Sequence, residues 1–500
     1  MKRAYVLAID QGTTSSRALI FREDGKIAGQ GSVELPQIFP KPGWVSHDPD
    51  QLLGTTLSAT KRALACAGIS GKELSCIGVT NQRETTLIWD RKSSKPIAPA
   101  VVWQCRRTAD LCEALKKQGL EKTVRRRTGL KLDAYFSGTK IRWLLDHTRG
   151  AADRARQGKL AFGTVDSWLI WCLTGAQVHA TDFSNASRTL LFNIRKRRWD
   201  PDLLKQLKVP GSLLPEVHAS AAEYGRTVRL GPLPAGIPIT AVAGDQQAAL
   251  FGQGCTRPGQ MKNTYGTGCF LVLQTGDQCI QSRHGLLSTL ACGPKGEPTY
   301  ALEGSVFVSG AAVQWLRDGL NLIKEAQETE AIASGIPDTG GVYLVPAFVG
   351  LGAPYWDQEA RAALVGMTRG TGRAEIVRAA LESMAYQTVD VVQAMARDSG
   401  LRFKELRVDG GASRNKFLMQ FQADLLGLPV VCPSSVEFTA KGVALLAGIQ
   451  NGIWEAGTEV FERAEPKPQR FLPGMKPAVR CALYAGWQEA VGRVRTCGQP

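Results

Sequence analysis

The sequence predicts an α/β protein of two related domains, and three observations carry that expectation. The chain has 500 residues, more than one hydrophobic core usually serves. Apolar runs of strand length alternate with stretches of helical period, as α/β architectures require. The opening pattern of strand, glycine-bearing turn and second apolar run then returns near Lys262.

Taken in order, Tyr5 to Ile9 reads as a strand, Asp10 to Thr14 as a turn, Arg17 to Phe21 as a second strand and Glu23-Asp24-Gly25 as the next turn. The chain therefore begins as a hairpin. A helix around Leu52 to Ala67 leads into the apolar run Cys76 to Thr80, and alternation continues past Ile239 to Ala243, to about residue 250. The second half repeats the start with the turn Thr264 to Gly268 and the run Cys269 to Leu273. It closes with a helix at Ala374 to Ala396, a strand at Glu405 to Val408, the turn Asp409-Gly410-Gly411 and a helix from about Asn415 to Leu426. No short-period repeat or low-complexity linker marks a seam, so the division is placed at residue 252, giving domains 1–252 and 253–500.

Composition narrows the class. Hydrophobic residues make up 44% and charged residues 21% of the chain, and no apolar run approaches the roughly 18 residues of a membrane span. The expectation is a soluble protein without membrane insertion. Met1-Lys2-Arg3 and the apolar residues after it resemble the start of a signal peptide, but Asp10-Gln11-Gly12 interrupts them, which places the chain in the cytoplasm. Twelve cysteines without a Cys-x-x-Cys pair, and five histidines, argue for reduced thiols over a structural zinc site. The formal charge of +16 comes partly from short runs such as Arg125 to Arg127 and Arg195 to Arg198, without interleaved aromatics. That pattern predicts attraction for anionic substrates and no nucleic-acid partner.

Several motifs carry chemistry. Asp10-Gln11-Gly12-Thr13-Thr14-Ser15-Ser16-Arg17 sets a carboxylate at a strand end, then a glycine turn, hydroxyls and an arginine. Backbone N–H groups and hydroxyls can cradle phosphate oxygens while the aspartate holds a metal, directly or through water; a plain hairpin with a polar tip is the alternative. The chain has no Gly-x-x-x-x-Gly-Lys-[Ser/Thr], so any phosphate here is held without a P-loop. Asp409 to Asn415 follows a strand and opens a helix, where glycines let a purine approach the backbone and Asn415 offers an amide; a left-handed turn before a helix fits equally. Asp245 stands just past an apolar strand, where ligands of α/β sheets bind, and can accept the proton of an attacking hydroxyl or merely cap the next helix. Arg83 beside Glu84 joins donors to an acceptor, as a polyol needs, although a surface pair would look the same. Trp103, Tyr135 and Phe270 suit a core as well as a ligand wall.

Asp10 to Arg17, Asn81 to Thr85, Gly244 to Gln247 and Asn263 to Gly268 together resemble the signatures of glycerol kinases. Tyr135 to Lys140 and Gly366 to Gln387 are similar to signature regions of the wider FGGY carbohydrate kinase family. The likeness spans nearly the whole chain. It implies the actin/hexokinase-like (ribonuclease H-like) fold, two related α/β domains around an ATP-binding cleft, and phosphorylation of glycerol with ATP and Mg²⁺. Position by position, it implies glycerol contacts at Arg83, Glu84, Trp103, Tyr135, Asp245, Gln246 and Phe270, with Asp245 as base. It assigns the nucleotide to Thr13, Thr14, Ser15, Arg17, Thr267, Gly310, Gln314, Gly411 and Asn415, and the metal to Asp10 and, secondarily, Asp245. A homo-oligomer, dimer or tetramer, follows by the same likeness. The physical reading agrees, because a site selective for glycerol must hydrogen-bond three hydroxyls and lay rings against the carbon edge.

Two departures stand out. Members inhibited by fructose 1,6-bisphosphate resemble one another in a Gly-Gly-Thr-Arg-like loop, whereas this chain has Gly231 to Gly236 without an arginine, which predicts no such regulation. Lys441 stands where the family usually has an apolar residue. The competing readings are a kinase of another polyol or a pentulose, and a non-catalytic nucleotide switch on the same fold. Arg83, Glu84 and Trp103 argue against the first, and Asp245 against the second.

Overall fold

The computed structural model describes residues 4–434, 437–456 and 466–496; Met1 to Arg3 and Cys497 lie outside them. Two sheets organise the molecule. The first runs in the order Ile239–Gly244, Leu74–Asn81, Tyr5–Gln11, Ser15–Arg22, Ile27–Glu34. The second contains, in the same relative order, Val430–Cys432, Leu406–Asp409, Met261–Tyr265, Cys269–Gly276 and Pro298–Val306, extended at its edges by Gln469–Phe471 and Leu287–Cys292.

The pairing senses match as well. In each sheet the first two strands of the chain form an antiparallel hairpin, the third pairs antiparallel with the second, and the fourth and fifth run parallel to the first. One five-strand plan is thus used twice. The expected elements are present, with strands longer than periodicity suggested and the first turn shortened to Gly12–Thr14.

Local sequence explains the joints. Helix Pro49–Ala67 starts with Asp48 accepting the Asp50 N–H at 2.9 Å and proline in its first turn, and ends at Gly68 with φ +67°. It lies close on strand Ile27–Glu34 because Gly29 and Gly31 face it; a Cβ there would stand 2.4 Å from the Ala63 carbonyl oxygen and 2.3 Å from that of Ala59. Helix Arg373–Ser399 buries Leu381, Met384 and Met395 beneath the second sheet and ends at Gly400, φ +64°.

One helix belongs to the other half by packing. Phe438–Gln450, late in the chain, buries Val443, Ala444 and Ala447 in the same core as Val6, Ala8, Cys76 and Ala241 of the first sheet. It crosses helix Asp245–Gly252 at glycines, where a Cβ on Gly442 would meet the Ala248 carbonyl oxygen at 1.9 Å and one on Gly252 that of Phe438 at 2.3 Å. This helix therefore ties the second domain to the first, so residues 438–450 pack across the expected division at 252. Lys441 on this helix is buried with its ammonium 5.0 Å from the centre of the Phe438 ring. Gly442→Ala is expected to destabilise the protein by about 1–3 kcal/mol, the usual cost of overpacking. A chemical-denaturation midpoint equal to that of the parent would count against this account of the crossing.

Candidate active site

The two strand plans place the two glycine turns singled out in the sequence at equivalent points. Gly12–Thr14 joins Tyr5–Gln11 to Ser15–Arg22, and Gly266–Gly268 joins Met261–Tyr265 to Cys269–Gly276. Asp245 follows the fifth strand of the first plan, and Gly410-Gly411 follows the fourth strand of the second. Each lies at a carboxyl edge, where ligands of α/β sheets bind.

Asp245 is the first residue of helix Asp245–Gly252, with Gly244 at the cap position. Glycine is required at 244 because a Cβ there would be 2.7 Å from Arg83 Cδ. Asp245 is thus the first residue of the helix and not its cap, and its part-exposed carboxylate accepts the Gln246 backbone N–H at 2.7 Å and meets Arg83 Nε at 3.1 Å. Arg83 is itself fixed from the second domain. Glu303 receives both of its terminal nitrogens, at 2.6 and 3.1 Å, and Gln247 Oε1 receives one of them at 3.2 Å. Arg188 completes the set, donating to Glu84 at 2.6 Å and to Glu303 at 2.9 Å.

Four charged side chains are thus buried together, two guanidiniums and two carboxylates. Burial alone would raise the Glu303 carboxyl, yet Arg188 and Arg83 hold it down at about 2. Burial pushes Glu84 up, opposed by the same two arginines. Glu84 also has a positive φ of 60°, a strained backbone for a residue with a Cβ, fixed by the Ser137 and Thr86 hydroxyls that donate to its carbonyl at 3.0 Å each.

Aromatic rings stand beside this cluster. Trp103 lies edge-on to Tyr135 at 5.5 Å and to Phe270 at 6.3 Å between centres, and the Arg188 guanidinium sits 5.5 Å from the Tyr135 ring centre. Trp103 Nε1 donates to Thr13 Oγ1 at 2.9 Å, tying this wall to the first turn. Gln246 is buried, and its Oε1 accepts from Lys262 Nζ, which also donates to Thr264 Oγ1 at 2.6 Å. Burial lowers the Lys262 ammonium against the pull of Asp409 and Asp245.

The first turn is closed by Gly12 N–H to the Ser15 carbonyl at 2.9 Å, with Thr14 exposed at its tip. Arg17 is ion-paired with Glu437. Burial pushes the Asp10 carboxyl up to about 7, with Arg17 opposing and Asp245 and Glu437 adding to the rise. In the second turn, Gly310 N–H donates to the Gly266 carbonyl at 3.0 Å and Ala311 N–H to that of Thr267 at 3.1 Å, so the helix Gly310–Asp318 begins against the turn. Gln314 is exposed on that helix. Gly410 needs its φ of +89°, since a Cβ there would lie 2.2 Å from the Tyr265 carbonyl oxygen, while the space at Gly411 is open. Asn415 uses its amide structurally: Oδ1 accepts from Leu418 N–H at 2.9 Å, and Nδ2 donates to Thr329 at 3.1 Å.

Sequence reasoning did not find Glu303, Arg188 or Lys262 as participants. Glu303 had a readable signal, the one charge in the stretch Tyr300 to Val306 and directly after the apolar Ala301-Leu302, where a buried charge persists only if paired.

Residues 5–252 match the N-terminal domain of the FGGY family of carbohydrate kinases, and residues 261–450 match its C-terminal domain. The chain belongs to the FGGY family of carbohydrate kinases. Among FGGY relatives, it is 54% identical over 495 residues to a glycerol kinase of Carboxydothermus hydrogenoformans, covering 99% of both chains. It is 55% identical over 496 residues to a glycerol kinase of Shewanella sp., covering 99% of this chain and 100% of that one. Its fold superposes on Plasmodium falciparum glycerol kinase, solved with ADP, with a TM-score of 0.92 and 34% identity over 99% of each chain. A gluconate kinase of Lactobacillus acidophilus shares the FGGY fold at TM-score 0.88 and 19% identity, covering 98% of each chain.

Proposed function

We propose that the chain is an ATP-dependent glycerol kinase, forming sn-glycerol 3-phosphate with Asp245 as general base. The observation that carries the assignment of the base is the Asp245 carboxylate held at 3.1 Å by Arg83, beside the rings of Trp103, Tyr135 and Phe270. In this reading Arg83, Glu84 and Gln246 bind the hydroxyls and the rings cover the carbon edge. Relatives named glycerol kinase at 54% and 55% identity over nearly the full chain support the substrate.

Phosphoryl transfer has a charge-spread transition state, so alignment and electrostatics supply most of the rate. Asp245 accepts the proton of the attacking hydroxyl. Thr13, Thr14, Ser15, Arg17 and Thr267 surround the phosphates, while Gly310, Gln314, Gly411 and Asn415 flank the nucleoside. Because the Asn415 amide is already engaged with Leu418 and Thr329, its part is to shape the helix start beside the open Gly411 backbone.

Mg²⁺ fits Asp10 and, secondarily, Asp245. A buried carboxyl pushed up to about 7 gains from a dication. Among the described residues no group of three or more His, Cys, Asp or Glu side chains could hold a metal ion. Bound at Asp10, Mg²⁺ would neutralise charge on the transferring phosphoryl group.

Domains 1–252 and 253–500, a homo-oligomer and a cytoplasmic location complete the proposal. Exposed Phe39 and Val349 offer apolar surface for assembly, and no helix among the described residues is long and apolar enough to cross a membrane. The eleven cysteines of the described residues are free thiols. The loop Gly231 to Gly236 turns back through paired Leu230 and Leu233 and offers no arginine, so inhibition by fructose 1,6-bisphosphate through it is not expected. The deciding experiment measures ADP release with glycerol, erythritol, xylulose or no acceptor. Glycerol should be preferred strongly; equal rates without acceptor, or preference for the pentulose, would refute the assignment.

A further inference from the structure

A cavity of ≈ 470 Å³ is lined by none of the residues assigned above to substrate, nucleotide or metal. Its wall draws on both domains. Arg125 and Lys131 come from the first, and Arg283, Arg397, Arg495 and Asp390 from the second. Five cationic side chains therefore face one carboxylate.

That carboxylate is already engaged. Asp390 accepts from the Tyr484 hydroxyl at 2.6 Å and from Trp487 Nε1 at 2.8 Å, and burial pushes its carboxyl up to about 6. The nearby Asp398 is also occupied, taking the Arg283 backbone N–H at 2.9 Å and His284 Nδ1 at 2.7 Å. Arg125 donates only to the Ser282 carbonyl, at 2.5 Å, Arg397 only to Gln393 Oε1, at 3.3 Å, and the Lys131 ammonium stands 4.9 Å from the Trp356 ring centre. None of these three, nor the Arg283 side chain, is ion-paired among the described residues.

Gathering five cations around one hollow against the single Asp390 carboxylate, with Glu121 and Asp133 acting on Lys131, leaves an excess of positive charge that raises the electrostatic energy of the empty protein. Burial, with Arg125 adding to it and Glu121 and Asp133 opposing, lowers the Lys131 ammonium to about 8, a direction that an anion in the hollow would oppose. Guanidinium forks fit phosphate oxygens two at a time, and here they approach from separate elements. Several guanidinium-bearing residues lining one hollow suit an occupant with more than one phosphoryl group, and the volume is that of a small-metabolite site.

We propose that this cavity binds a small multivalent phosphate anion, which bridges the domains through Arg125 and Lys131 on one side and Arg283 and Arg397 on the other. The site is separate from the phosphate turns of the cleft. To test it, inorganic pyrophosphate is titrated calorimetrically into the full chain in magnesium-free buffer, with glycerol and saturating ADP keeping the cleft occupied. The parent should bind it, and the double variant Arg283→Gln/Arg397→Gln should bind at least ~10-fold more weakly, as loss of about 1.4 kcal/mol requires. Lys131→Met should also weaken binding. The glycerol affinity and melting temperature of each variant, measured in parallel, confirm an intact fold. Citrate, a multivalent anion without phosphoryl oxygens, should bind more weakly than pyrophosphate. No binding to the parent, equal binding by the folded double variant, or citrate binding as tight as pyrophosphate would overturn the proposal.

Discussion

Asp245→Asn is expected to lower turnover with glycerol by ~10²- to 10⁴-fold, the range a positioned general base contributes. That corresponds to about 3–5 kcal/mol of transition-state stabilisation. Asparagine keeps the shape of aspartate and an oxygen able to accept from Arg83 Nε, now 3.1 Å from the carboxylate, so the pocket should stay assembled. What is lost is the capacity to take the hydroxyl proton. ADP affinity should therefore be kept, and the glycerol Michaelis constant should move far less than turnover, the signature of an interaction made mainly in the transition state. Rapid-quench measurement of the first turnover would separate chemistry from product release. A normal first-turnover rate would remove Asp245 from proton transfer and return it to a positioning role.

The sequence made the skeleton of this site legible because the skeleton is local. A strand, a glycine turn and a strand can be read from adjacent residues, which is why both glycine turns and the position of Asp245 emerged from periodicity. The limits of strands and helices were less readable, since burial on a sheet continues beyond the apolar run: Leu74–Asn81 keeps Thr80 and Asn81 fully buried. Contacts between distant segments were not readable from pattern. Arg188, Glu84 and Glu303 lie far apart in the chain, and their charges are tolerable only because folding brings them together. The crossing at Gly442 and Gly252 hides in the same way, because a glycine in a helix reads as a weak helix former until the partner backbone is seen beside it.

Glu303→Gln should expose how much the glycerol pocket depends on the second domain. The substitution removes one of two carboxylates from a group with two guanidiniums and leaves a buried positive charge uncompensated. Breaking a buried pair in this way typically costs about 3–5 kcal/mol. The loss should be pH-dependent with a definite sign. Glu303 is held at about 2, below the ordinary glutamate value, so its stabilisation is full above about 4.5 and fades as pH falls toward about 2. Denaturation curves of parent and variant should therefore converge on acidification and lie furthest apart above that window; Glu84, pushed upward by burial, is present in both proteins, so the difference between them mainly follows Glu303. The kinetic consequence runs through Arg83. Left with at most one of its two bonds to residue 303 and without the balancing charge, its guanidinium is held less firmly toward Asp245, and the Michaelis constant for glycerol should rise at least ~10-fold, the effect of losing about 1.4 kcal/mol of binding, while that for ATP changes little. A purely structural role would instead lower the amount of active enzyme and leave both constants unchanged in the fraction that folds. Unchanged glycerol affinity in folded Glu303→Gln would show that Arg83 is oriented without help from across the cleft.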